Sequence, residues 1–391
     1  MNMIGPCIRR ERMRRNWSQR GLCRGICSAS YLSKLEQGSA EASEEIIRLL
    51  LGRLELPWYG GAQSDQACRA RVEALYEALL SADDEAFEKL WTDFAPDAAL
   101  LQCSPFAADA AILCALHAQD ASLAADIPED CFDRRQLAFL RLLQGRADES
   151  IRLLPDAYFY YMAGVSAYER GENYAAALEY LQTACAAAAN EGRANLMLQC
   201  RMIMGNCYCN QVDLPHMADQ FAVARRLAAA LGRADTIRVI EYNTASSQLE
   251  AGDPAAACRY FASLADPGVM ELHKLAVCCE KLGRKDEALR ALDAADATAV
   301  DFPPEPLARA MCRLVRMRLE NSGWLRDPAY GALLLSCFDD CRRQLPIGYA
   351  SFHLPWVLEW HTANRQYKQA YELIAEFPVK MIDPVLNADL K

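Results

Sequence analysis

Two sets of side chains have types and spacings that could do chemistry. The first is Ser28, Ala29, Ser30, Tyr31, Ser33 and Lys34, with Gln19 and Arg20 just upstream. Hydroxyls, an amide and cations on short helices can meet phosphate oxygens and the edges of bases. Residues 28–36 contain no Arg, Asn or Gln for bidentate base recognition, and serine hydroxyls are permissive readers. Specificity is therefore expected to rest on Lys34, Tyr31 and the shape of the nucleic acid. The second set is Met202, Asn206 and Asn210, then Tyr242, Asn243 and Ser246, then His273, Lys274 and Glu280. Asn amides spaced along a groove can pair with the N–H and C=O groups of an extended peptide whatever its sequence. Tyr and Met supply adaptable apolar contact. Asn206 and Asn243 could equally bridge adjacent helices.

Other chemistries find little support. The seventeen cysteines are odd in number and contain no Cys-x-x-Cys. Cys23/Cys27 and Cys337/Cys341 stand one helical turn apart, but the five histidines, at 117, 216, 273, 353 and 361, are scattered. No metal site and no cofactor is expected, and cysteine reads as a small buried hydrophobe. Phosphate-binding glycine loops, His-Glu-x-x-His and Gly-x-Ser-x-Gly are all missing, so no catalytic residue is assigned. Glu241 and Glu250 read as surface residues of helices. The chain opens at Met1 without a signal-peptide pattern and has no run of ~20 apolar residues, which predicts a cytoplasmic protein with no membrane partner.

Charge divides the chain. Residues 1–56 hold 10 Lys/Arg against 6 Asp/Glu, a net +4, while residues 57–391 hold 32 against 46, a net −14. Contact with a polyanion must therefore use the N-terminal end.

The elements that position these residues follow from caps and periodicity. Ile4, Ile8 and the stem of Arg12 lie at helical spacing. Ser18 caps a second short helix, which Gly25 ends; Ser28 caps a third over residues 29–37, with Leu32 and Leu35 inward and Gly38 closing it. Ser43, Glu44 and Glu45 open a fourth, whose apolar face is Ile46, Ile47, Leu50, Leu51 and Leu54. Pro57, Gly60 and Gly61 then break the pattern, and Arg69 resumes it, so residues 58–67 are assigned to a linker between a domain at 1–57 and a body at 68–391.

The body is periodic. Gly205, Tyr208, Phe221 and Ala224 place a small residue where two helices cross and an aromatic on the return helix. Related sets are Val165, Tyr168, Ala177, Leu181 and Ala184; Ala245, Ala257 and Phe261; Ala276, Cys279, Ala288 and Leu292; and Leu358, His361, Ala370 and Ile374. Each pair leaves an apolar face that only the next can cover, which predicts a stacked α-solenoid of tetratricopeptide type, clearest over 155–295. The first helices of the pairs then line the concave face, which is what gathers the second set of side chains.

The string from Ile4 to Leu56 resembles an Xre/Cro-type helix-turn-helix: Ile8 with Arg12, Ser18-Gln19, Leu22, Leu35-Glu36-Gln37-Gly38, and the helix from Ser43. ICSASYLSKLEQG is similar to the heads of RRNPP-type (PlcR-like) peptide-responsive regulators, and the likeness of architecture extends over the chain. The resemblance implies an ion pair of Arg12 with Glu36, Gln19 at the phosphate backbone, and Ser28, Ala29, Ser30, Ser33 and Lys34 facing the groove. Cys23 departs from the family, which usually has Ala there. Also implied are double-stranded DNA as partner (a palindromic operator), a short signalling peptide in the repeat groove, and a homodimer whose geometry the peptide controls. The expected fold is all-α, a helix-turn-helix followed by a solenoid. The alternative function is a scaffold that sequesters a protein, with the head used for dimerisation.

Overall fold

The computed structural model describes residues 4–60, 62–171, 174–211 and 213–376, and every regular element among them is helical. Four helices form the head: α1 (Ile4–Arg14), α2 (Gln19–Cys23), α3 (Ala29–Glu36) and α4 (Glu44–Arg53). Their starts are fixed as the sequence indicates, by Ser18 Oγ accepting from Gly21 N–H, Ser28 Oγ from Tyr31 N–H and Ser43 Oγ from Ile46 N–H. Ile8, Leu22, Leu32, Leu50, Leu51 and Leu54 are fully buried and form the head's core. Gly5 lets α1 lie directly on α3, because a Cβ there would stand 1.8 Å from the Leu35 carbonyl oxygen.

The next helices are α5 (Ala62–Leu80), α6 (Asp84–Phe94), α7 (Ala107–Ala118), α8 (Arg134–Leu143) and α9 (Ala147–Leu153), with short 3-10 turns between α6 and α8. Helix resumes at Ala62, seven residues ahead of Arg69, so the irregular stretch after the head is shorter than the composition of 58–67 suggests. The body continues as α10 (Ala157–Arg170), α11 (Tyr174–Glu191), α12 (Ala194–Asn210), α13 (Leu214–Ala230), α14 (Ala234–Glu250), α15 (Pro254–Ala262), α16 (Val269–Lys281), α17 (Lys285–Ala297), α18 (Glu305–Glu320), α19 (Pro328–Gln344), α20 (Ile347–Ala363) and α21 (Tyr367–Glu376).

The chain divides into two compact units. One is built from the residues up to Ala163 with Thr183–Leu196, the other from Gly164–Gln182 with the chain from Met197 onward. In the first, the head is tied to the helices that follow it. The Cys7 thiol donates to the Gln102 carbonyl, and Arg14 pairs with Asp126. Tyr76, Phe139 and Phe159 form its aromatic core, with ring centroids 5.5 Å apart for Tyr76–Phe139 and 5.0 Å for Phe139–Phe159.

In the second unit, successive helices pack as neighbours and alternate first helices also touch, α14 on α16 and α16 on α18. That is the stacking the repeat pattern requires. A Cβ on Gly205 would stand 2.2 Å from the Phe221 ring, and one on Gly164 would stand 2.6 Å from Leu181, so both glycines mark points where two helices cross too closely for any side chain. At the equivalent positions further on, Ala245 and Ala276 are buried, as are Phe261 and Leu292 sixteen residues later. Twelve of the seventeen cysteines are buried and the other five half-buried, in keeping with packing residues, and all are free thiols.

Candidate functional site

In the head, Glu36 lies at the centre of a polar lock. Arg12 grips its carboxylate with a fork, Nε to Oε1 at 2.6 Å and Nη2 to Oε2 at 2.9 Å, and donates from Nη1 to the Trp17 carbonyl at 2.7 Å. Gln19 Nε2 adds a third donor at 2.8 Å. Glu36 is thus buried yet satisfied, and the lock ties α1, the turn after it, α2 and α3 together. Gln19 therefore spends one amide hydrogen inside the fold, a use that the residue pattern does not reveal. Tyr31 is also partly engaged. Its hydroxyl donates to the Glu41 carbonyl at 2.7 Å and pins the loop between α3 and α4. Arg20, Ser28, Ser30 and Lys34 are exposed, with Ala29, Tyr31 and Ser33 half-buried among them. The exposed edge thus carries two cations, two serine hydroxyls and no carboxylate.

The second unit holds a cavity of about 270 Å³. Seven of the nine residues expected on a ligand-binding face meet there: Asn206 and Asn210 from α12, Tyr242, Asn243 and Ser246 from α14, and His273 and Lys274 from α16. Tyr168 of α10 joins them. The α-helical repeat explains the stripe, since residues four apart return to nearly the same face. Met202 and Glu280 do not reach the cavity. Met202 packs with Leu198, Met217 and Phe221 in the core between α12 and α13. It stands one turn before Asn206, where its side chain is taken up by the core between α12 and α13. Glu280, six residues past Lys274, falls on another side of α16 and accepts from Arg318 Nε at 2.6 Å.

Asn243 Nδ2 donates to Asn206 Oδ1 at 3.0 Å, so the two amides do bridge neighbouring first helices, and both also line the cavity. Asn210 donates to the Tyr174 hydroxyl at 3.1 Å. Each retains amide groups beyond the bond it makes.

Sequence reasoning missed the far wall. Pro346, Gly348, Tyr349, Phe352 and His353, at the start of α20, close the cavity against α12, α14 and α16. Gly348 leaves the Asn210 amide in place, since a Cβ there would stand 3.3 Å from Asn210 Oδ1 and would make it shift by a few tenths of an ångström. Glu250 is exposed, as its spacing suggests, and it also stands at the edge of the cavity lining. The signal was present, because Glu250 continues the four-residue stripe of Tyr242 and Ser246 along α14.

The cavity's charges are unsettled. Lys274 is almost fully buried, and desolvation brings its ammonium down to about 8, against which Glu250 acts from a distance. Its Nζ stands 3.1 Å from the centroid of the Phe352 ring. The same crowding raises the Glu250 carboxyl, opposed by Lys274 and His353. His273 is fully buried, and desolvation with the nearby His353 and Lys274 pushes it down, so the ring is neutral. Among the described residues neither of its ring nitrogens has a hydrogen-bond partner, and Ser246 Oγ makes no close hydrogen bond although the Tyr242 hydroxyl interacts with it. His353 donates from Nδ1 to the Tyr349 carbonyl at 2.8 Å, and its Nε2 has no hydrogen-bond partner among the described residues. Among the described residues no cluster of His, Cys, Asp and Glu is arranged to hold a metal ion, and no helix is long and apolar enough to cross a membrane.

Comparison with known proteins agrees with the two-part architecture. Residues 8–59 match the helix-turn-helix family model. The crystal structure of NprR in complex with its cognate peptide NprX is similar over 78% of this chain and 99% of that one, at 12% identity and a TM-score of 0.51. The apo form of the quorum sensor NprR from B. thuringiensis aligns over 80% and 99%, at 13% identity and a TM-score of 0.48. No curated protein matches in sequence. The chain is therefore an all-α protein with a helix-turn-helix head and a helical body of the fold seen in NprR.

Proposed function

We propose that this protein is a cytoplasmic, non-enzymatic transcriptional regulator that binds DNA through its head and senses a short peptide in the cavity of its body. The observation that carries the reading is the pairing itself: a helix-turn-helix with an exposed cationic, hydroxyl-bearing edge, and an amide-lined cavity on the first helices of a repeat stack. Arg20 and Lys34 supply charge for phosphates, and Ser28, Ala29, Ser30 and Ser33 present small side chains to a major groove. Asn206, Asn210 and Asn243 offer amides to a peptide backbone, while Tyr168, Tyr242 and Phe352 offer apolar walls. The protein of similar fold has its cognate peptide bound.

Regulation needs a two-state element. A homodimer places two heads on two half-sites of a palindromic operator, and a peptide with unequal affinity for two dimer geometries shifts the fit. Domains at 1–57 and 68–391 would then act as reader and sensor.

The test is direct. A randomised double-stranded DNA library is enriched on the purified protein, and the selected duplex is titrated against wild type and Arg20→Glu/Lys34→Glu. The regulator reading expects a strong loss for the double variant; equal affinity at low salt refutes it.

A further inference from the structure

The Lys274 end of the cavity is built unlike the rest of it. Lys274 and His273 are consecutive on α16, and Ser246 faces them from α14. Lys274 forms no ion pair among the described residues, and its ammonium is held against the face of Phe352. A buried cation that touches a ring and feels Glu250 only at longer range is incompletely compensated. His273 adds to the imbalance, because it is fully buried, forms part of the cavity wall, and leaves both nitrogens unpartnered. Buried polar groups are ordinarily satisfied, so an ammonium without an acceptor beside an imidazole with neither nitrogen partnered among the described residues marks a shape waiting for an acceptor. A neutral imidazole supplies one N–H, the Ser246 hydroxyl one O–H and Lys274 up to three N–H groups.

We propose that Lys274, His273 and Ser246 form a carboxylate-binding subsite of the cavity. This rests on the peptide-sensing reading above and makes it specific: the ligand presents a carboxylate here, from its C-terminus or from an Asp or Glu side chain. Charge-assisted hydrogen bonds from Lys274 and a donor from His273 would hold the two oxygens beside the Phe352 ring. Glu250 is the opposing group. It lines the same cavity one turn beyond Ser246, and its negative charge both steadies Lys274 in the empty site and disfavours an incoming acid. A ligand carboxylate therefore replaces Glu250 as the counter-ion of Lys274.

Four randomised seven-residue peptide pools test this on the purified full chain. They are made as free acid or C-terminal amide, each with or without Asp and Glu. Wild type should retain carboxylate-bearing pools about tenfold or more over the amidated pool lacking Asp and Glu, a difference of about 1.4 kcal/mol. The pool that carries the preference identifies the source of the carboxylate. Lys274→Met should bring the ratio to about one, and Glu250→Gln should raise it. Equal retention of all pools by wild type, or an unchanged ratio in Lys274→Met, overturns the subsite. A second measurement separates this from failure of the peptide reading. N-acetylglycine and N-acetylglycinamide are titrated in, and the histidine ring resonances are followed. Perturbation by the acid alone, lost in Lys274→Met, upholds the subsite even if no peptide pool is retained. Perturbation by both or by neither overturns it.

Discussion

At the scale of single residues, the Arg12–Glu36 pair illustrates why a buried charge must be fully partnered. Glu36 has a side chain 2% exposed and receives three donors. Glu36→Ala would leave the half-buried Arg12 guanidinium and the Gln19 amide without their acceptor, and breaking such a pair costs about 3–5 kcal/mol. The head should melt early in calorimetry and lose DNA binding with it. Ser28→Ala removes only a cap and should cost about 1 kcal/mol. Lys274 gives a pH signature. Its ammonium sits at about 8 in the fold against 10.5 in an unfolded chain, so below about 8 both states hold the proton and the cost of burying it is present in full. Between about 8 and 10.5 the unfolded chain binds more protons, and stability rises with pH. Denaturant titrations at about pH 7 and about pH 9.5 should show this gain in wild type, less of it in Lys274→Met. Glu250, His353, Tyr242 and Tyr349 face the same cavity, and only the difference between the two proteins isolates Lys274.

At the scale of elements, the glycines at helix crossings set the geometry of the stack. Gly205→Ala drives a methyl into the Phe221 ring, and overpacking of this kind costs about 1–3 kcal/mol. The double variant Gly205→Ala/Phe221→Leu should recover part of it by making room, which thermal denaturation would register. These crossings were legible in advance because a small residue and its large partner recur sixteen residues apart, as in Gly205/Phe221, Ala245/Phe261 and Ala276/Leu292. The cavity floor was legible for the same reason, since Asn206, Tyr242, Asn243 and His273 fall on successive first helices. Its far wall was not. Tyr349, Phe352 and His353 reach it only because the stack bends until α20 meets α12, and that curvature is a sum of small rotations that no local pattern encodes. Met202 went astray because the spacing along α12 does not show where the cavity gives way to the core shared with α13.

At the scale of the whole molecule, charge is partitioned as strongly as structure. A head of +4 is carried on a chain of net −10, so favourable contact with a polyanion is confined to the head. DNA affinity should fall steeply with salt, and Arg20→Ala/Lys34→Ala should make the log–log slope shallower by about 1.8, near 0.9 for each phosphate no longer neutralised. Fluorescence anisotropy across a salt series reads this. A nearly flat response in wild type would dispose of the phosphate-binding scheme.

The seat of α20 beside α12 has a further consequence. A linear array of repeats ordinarily frays from its free end, each pair depending only on the one before. Here Gly348 lies against Asn210, and Phe352 lies over Lys274. The last pair is thereby latched to one much earlier in the chain, and the opening of either should be felt at both. An occupant of the cavity would tighten that latch. Amide hydrogen exchange should then slow in α12 and α20 together, and protease cleavage between α19 and α20 should become rarer.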